Sequence, residues 1–137
     1  MREDIVVAID PGREKCGIAV VHRTQGVMDK TIIATAELVK VVTSLVTTYK
    51  ATTAVIGDRT TSHTAQTALD GIKINGENIA IIPVNEHRST DEARKRYWTE
   101  HPPTGLKRLI PTTMQVPPGP VDDYVAVILA ERYFAGQ

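Results

Sequence analysis

Five carboxylates stand where apolar runs begin or end. Asp10 follows Ile5-Val6-Val7-Ala8-Ile9, Asp58 follows Thr53-Ala54-Val55-Ile56-Gly57, and Glu86 lies just past the run 79–84. Asp122 and Asp123 come directly before Tyr124-Val125-Ala126-Val127-Ile128-Leu129. A charge at the rim of a core is costly unless something pairs with it. Several carboxylates gathered in one place repel and raise each other's pKa unless a divalent cation lies between them. An all-oxygen donor set suits magnesium or manganese rather than zinc. The histidines His22, His63, His87 and His101 have no paired spacing for zinc, and the lone Cys16 has no partner for an internal disulfide. Each acid also has an ordinary reading. Asp10 before Pro11-Gly12 starts a turn, Asp58 caps the next segment, Glu86 is a solvated loop residue, and Asp122 or Asp123 complements a helix dipole. Whether the fold brings these acids together decides between the readings.

The elements that would position them are legible from pattern. Residues 4–10 form a continuous apolar run, as expected of a strand buried on both faces, and Pro11-Gly12 ends it. Residues 17–22 and 27–34 read as two further strands joined by the turn Thr24-Gln25-Gly26, which makes an antiparallel meander. Leu38, Val42, Leu45, Val46 and Tyr49 share one face of a helix that Thr35 could cap. Residues 53–57 form a short buried strand, a polar helix follows over 64–72, and 79–84 is another strand. Ser89 and Glu92 have capping-box spacing and open a helix to about Glu100. Prolines crowd 101–120 and exclude regular structure there. Pro120 then suits the first turn of a final helix with Val121, Val125, Ile128 and Leu129 on its apolar side.

Strands that alternate with helices imply parallel pairing through right-handed crossovers. The expected fold class is α/β: a mixed five-stranded sheet, with a three-stranded antiparallel meander plus two parallel strands, flanked by helices. In open α/β sheets, functional groups collect beyond the carboxyl ends of the strands. Acids separated by tens of residues can share a cleft there.

With 137 residues, 42% of them hydrophobic and 23% charged, the chain reads as one domain over 1–137 with a proline-rich loop at 101–120. No apolar run approaches the roughly 18 residues needed to cross a bilayer. The opening MREDIVV shows no cleavage-site pattern, so a cytoplasmic location and no membrane partner are expected. Formal net charge is zero, which argues mildly against a protein that coats nucleic acid. Local clustering is different: six basic residues against three acidic ones between Arg88 and Arg108 give that window a net +3. A solvated helix face is the alternative source of such a cluster.

Four stretches taken together, IDPGREKCGIAVV, VIGD, VNEHRSTDEA and VDDYVAVILAERYF, resemble the YqgF/RuvX family. Its members are RNase H-like proteins related to RuvC-type Holliday junction resolvases. The likeness spans nearly the whole chain outside the proline-rich stretch. It implies an RNase H-like fold and a magnesium- or manganese-dependent nuclease. Precursor ribosomal RNA trimming or, by analogy, DNA junction resolution would be its work, with structured RNA or branched DNA as partner. The same resemblance implies that Asp10, Glu86 and Asp122 are the catalytic, metal-binding acids. Asp122 rather than Asp123 follows the family's Val-Asp step, with Asp123 beside it as a further metal candidate. Asp58 is a candidate fourth ligand, because other RNase H-like nucleases carry an acid at the end of this strand. Gly12, Arg13, Lys15, Arg88, Arg94, Lys107 and Arg108 are the residues expected to meet nucleic acid. Two departures stand out: Gly57-Asp58-Arg59-Thr60 replaces the family's Gly-Leu-Pro, and MQVPPGP replaces a basic run before Val121-Asp122. They favour the alternative of an inactive module that binds nucleic acid or a protein. The oligomeric state is open between monomer and homodimer.

Overall fold

The run IVVAID is apolar on both faces, and it becomes the middle strand of a sheet covered on both sides. The structure, a computed structural model, describes residues 4–58, 62–74 and 76–136. Strands β1 (Ile5–Asp10), β2 (Lys15–His22) and β3 (Gly26–Ala34) form the antiparallel meander. A 3-10 turn at Thr35–Glu37 leads into helix α1 (Leu38–Tyr49), then β4 (Thr53–Gly57) and α2 (Ser62–Leu69). A small hairpin of β5 (Lys73–Ile74) and β6 (Glu77–Asn78) precedes β7 (Ala80–Val84). Helix α3 (Ser89–Glu100), two 3-10 turns at Gly105–Leu109 and Thr112–Met114, and helix α4 (Asp122–Phe134) complete the chain. The main sheet has the order β3-β2-β1-β4-β7, with β4 parallel to both β1 and β7. The expected mixed five-stranded architecture is therefore present.

Strand alternation sorts side chains into two cores. Val6 and Ala8 of β1, Ala19 and Val21 of β2, Val55 of β4 and Val84 of β7 pack with α4 and Ala93 of α3. Val7, Ile9, Ile18, Val20, Ala54 and Ile56 point the other way, onto Leu38, Val42 and Val46 of α1 and Leu69 of α2. The aliphatic composition suits this thin, closely packed sandwich.

Local signals were realised unevenly. Helix α1 stops where Lys50 turns left-handed at φ 57°. Thr35 does not cap it; its hydroxyl donates to the Gly12 carbonyl at 2.8 Å and ties the β1–β2 loop to the helix start. Ser89 is inside α3 rather than its cap, because a left-handed Arg88 (φ 58°) is the flanking residue and Glu92 reaches Arg132 instead. The hairpin at 73–78 was not expected, since two-residue strands carry no usable period. Helix α4 is buried all round from Tyr124 to Ala130, not on one stripe, because the sheet lies under it and α3 covers its flank. No helix among the described residues is long and apolar enough to cross a membrane.

Gly17 sets how closely α4 lies on the sheet. A methyl group there would collide with the backbone carbonyl of Asp122. Gly17→Ala is therefore expected to lower stability by about 1–3 kcal/mol, the usual cost of overpacking. Urea denaturation should show a reduced midpoint with an unchanged slope; an unchanged midpoint would mean that the helix is not seated this way.

Candidate functional site

Alternation decides which face the acids share. Asp10 continues the Val6-Ala8 side of β1, Gly17 continues the Ala19-Val21 side of β2, and Gly57 continues the Val55 side of β4. All three positions face α3 and α4 at the end of the sheet where β1 and β4 finish. Asp10 pairs with Gly17 across the β1–β2 ladder, and Ile9 pairs with Ile56 one residue before Asp10 and Gly57 leave the β1–β4 pair.

Two strand glycines create the room. The side chain of Glu86 lies directly over Gly57, so that a Cβ there would strike its carboxyl and Cγ. The first turn of α4 lies over Gly17 and brings Asp122 to the same rim. Asp10 and Asp122 together line an open cleft of about 350 Å³, walled by the Pro11–Lys15 turn. Asp10 and Asp122 thus share the cleft, and Glu86 lies over Gly57 on the same face of the sheet. Among the described residues, no three acidic, histidine or cysteine side chains close on one point at metal-bonding distance.

Glu86 is 2% exposed, and its backbone is fixed from three directions. Its amide donates to Asp58 Oδ1 at 3.2 Å, and its carbonyl accepts from the Ser89 amide at 2.9 Å. Arg132 of α4 donates to the Asn85 carbonyl at 2.6 Å and to the His87 carbonyl at 2.7 Å, one residue either side. The Arg132 side chain is only 12% exposed, and Glu92 balances its charge at 3.1 Å. Charge-assisted bonds of this kind are among the stronger ones a protein makes. Asp58 itself is exposed at the end of β4, where its carboxylate holds the loop that carries Glu86.

The start of α4 is held by two lysines. Lys15 lies 3.5 Å from Asp122 Oδ2, and Lys30 of β3 lies 3.2 Å from Asp123 Oδ2. Asp123 also accepts from the Tyr124 amide through Oδ1 at 3.0 Å, so its carboxylate is engaged toward β3 while Asp122 borders the cleft. Tyr124 donates to Glu100 Oε1 at 3.1 Å, and the Lys30 ammonium sits 4.3 Å from the centre of its ring. Burial alone would lower the Lys30 pKa, but the hydrogen bond and charge of Asp123 outweigh it and raise it above the ordinary 10.5. Burial raises the Tyr124 phenol above its ordinary 10.0, against the pull of Lys30.

The expected nucleic-acid residues divide. Gly12 uses its lack of a side chain inside the turn, because a Cβ would meet the Lys15 carbonyl. Exposed Arg13 stands on the rim of the acidic cleft and of a groove of about 530 Å³ that runs between α1 and α2. Exposed Arg88 flanks the Glu86 loop, in a cavity it shares with Asn85, His87 and Arg132. Arg94 is exposed on α3, and Lys107 and Arg108 are exposed on the first 3-10 turn after it. Sequence reasoning passed over Arg132, Lys30 and the two strand glycines. Glycine inside a strand does mark close approach of another chain segment, so Gly17 and Gly57 carried a readable signal. For Arg132, no spacing rule indicates which carbonyls a helical guanidinium will reach.

Two outcomes follow. Arg132→Met should destabilise the protein by about 3 kcal/mol, from two charge-assisted bonds at roughly 1.5 kcal/mol each. Amide exchange over residues 86–89 should rise beyond what that global loss accounts for; protection that falls uniformly would reject the clamp. Lys30 and Tyr124 both keep their protons to higher pH in the folded state. Their contribution is full below about pH 10 and is lost as pH rises through the folded values. The denaturation midpoint should fall above pH 10, and Lys30→Met should flatten that fall.

No protein-family model matches the sequence. No relative is found among curated proteins. Solved structures do match over nearly the full chain. RuvC of Thermus thermophilus in complex with a Holliday junction substrate is 13% identical, with a TM-score of 0.63, covering 96% of this chain and 94% of that one. The Fowlpox virus resolvase with Holliday junction DNA gives 13%, 0.63, and coverage of 96% and 97%. A second Thermus thermophilus RuvC structure gives 12%, 0.62, and coverage of 96% and 95%. At such identities the likeness speaks for the backbone, and it says that this chain has the RNase H-like fold of the RuvC-type resolvases.

Proposed function

We propose that the protein is a metal-dependent nuclease that hydrolyses phosphodiester bonds in branched DNA or structured RNA. The observation that carries this reading is the shared face: Asp10, Asp122 and the buried Glu86 border one end of the sheet, with glycines beneath Glu86 and the start of α4. Carboxylate oxygens are the donors that magnesium or manganese prefers. The space kept by Gly17 and Gly57 suits a cluster of acids better than an ordinary helix-to-sheet contact does. The motif resemblance to the YqgF/RuvX family and the resolvase-like fold point the same way. Both resolvases named above were solved on Holliday junction DNA, which makes a four-way junction the first substrate to try and precursor ribosomal RNA the second.

In this reading Asp10, Glu86 and Asp122 would hold the ions. When bound there, divalent cations activate a water and offset the charge that develops at the attacked phosphate. The chain's own residues do the rest. Asp58 and Arg132 keep Glu86 in place through its backbone. Asp123 and Lys30 orient the first turn of α4 so that Asp122 faces the cleft. Arg13 at the cleft rim and Arg88 beside the Glu86 loop contact the nucleic-acid backbone rather than the bases.

Two observations favour a second reading, a module that binds nucleic acid without cutting it. Lys15 already lies against Asp122, and no three acids converge at bonding distance among the described residues. Manganese decides between them. A nuclease should bind the ion calorimetrically and cut a junction or an RNA substrate. Asp10→Asn should fold normally and lose cleavage by about a hundredfold or more, since disturbing even the outer shell of a metal site costs 10–100-fold. Nucleic-acid binding with no ion uptake and no cleavage would establish the second reading.

A further inference from the structure

The segment between α3 and α4 is ordered in a way that protects nothing. Leu106, Leu109, Met114 and Val116 each leave three-quarters or more of their surface in solvent, and Ile110 leaves 44%. Five of the protein's exposed large apolar side chains thus fall within eleven residues. A loop free to relax would turn such side chains inward, but this one is braced. The Gln115 side-chain amide donates to the carbonyls of Lys107 at 3.0 Å and Ile110 at 2.9 Å, and the two 3-10 turns are spaced by Pro111. The second turn packs against α3.

Its charge identifies the occupant. Residues 101–121 contain no Asp or Glu, in a chain that has sixteen of them, and Lys107 and Arg108 sit among the exposed aliphatics. A surface for another protein has no reason to exclude acids, whereas a surface for a polyanion does. The side-chain type narrows the choice further. The strap carries no aromatic ring on which an unpaired base would stack. Leucine, isoleucine and methionine, all present in the strap, are among the side chains that enter base steps as wedges. The strap also ends six residues before Asp122 in the sequence.

We propose that the strap at 105–116 is a nucleic-acid wedge. Lys107 and Arg108 grip phosphates while Leu106 and Leu109 enter an unstacked base step, which selects bent or branched helices over continuous duplex. This rests on the nuclease reading above only in taking the partner to be nucleic acid.

The test is binding measured by fluorescence anisotropy without divalent metal, so that no strand is cut. The probes are a four-way DNA junction, carrying 2-aminopurine beside the branch point, and an unbranched duplex of the same sequence. Wild-type protein should prefer the junction and raise the 2-aminopurine signal. The double variant Leu106→Ser with Leu109→Ser, at positions that support no core, should lose about tenfold in junction affinity. Its duplex affinity should stay within about twofold, and the fluorescence rise should vanish. Lys107→Ala with Arg108→Ala should weaken both probes alike and flatten the salt dependence. Leucine variants that bind the junction as wild type does would overturn the wedge and leave nucleic-acid binding standing. So would a leucine variant that changes only the sedimentation of the protein, which would make a second copy the occupant. Wild-type protein that binds neither probe would overturn both the wedge and the reading beneath it.

Discussion

Backbone lies on backbone where α4 meets β2, and that contact governs the rest. Gly17 leaves no side chain between the strand and the Asp122 carbonyl, so the helix begins at the same rim where β1 delivers Asp10. Gly57, on the strand at the other side of β1, makes the same kind of room under the carboxyl of Glu86. Ordinary helix-on-sheet packing is separated by the side chains of both layers and would keep these acids apart. The two glycines remove that separation only at the sheet's end. Further along, Ala19, Val21 and Val55 restore a normal apolar contact with α4.

Gathering acids in this way needs compensating charge, and the protein distributes it with some economy. Its formal charges cancel overall, yet the cations around the site each take a separate task. Lys15 lies on Asp122, Lys30 draws Asp123 toward β3, and Arg132 grips the carbonyls on either side of Glu86. A guanidinium that bonds to backbone carbonyls fixes the position of the segment it grips.

Much of the architecture was legible because it follows from period and length. The continuous run at β1, the short buried runs at β4 and β7, and the helical spacings between them lead to the mixed sheet, and the strand ends lead to Asp10, Asp58 and Glu86. What was not legible depends on where side chains end up after packing. Ser89 and Glu92 have capping-box spacing, but Arg88 turns left-handed at the helix start, and Arg132 draws Glu92 outward. Asp58 could be placed at a strand end from its neighbours alone. Its bond to the Glu86 amide could not, because that contact exists only once β4 and β7 lie side by side. Helix α4 looked one-sided because periodicity sees the sheet but not the second helix, α3, packed across its flank.

The order β3-β2-β1-β4-β7 leaves two strands on the outside. Parallel β7 ends the sheet on one side, and Pro83, next to its last residue and opposite Ile56, has no amide hydrogen to offer. A proline in an outer strand withholds the donor that a foreign chain would need to add itself. On the opposite border, exposed Asp29 and Thr31 line β3. Polymerisation through the sheet is thus discouraged at the β7 border by a missing proton, whereas β3 exposes Val27 and Met28 beside its polar side chains.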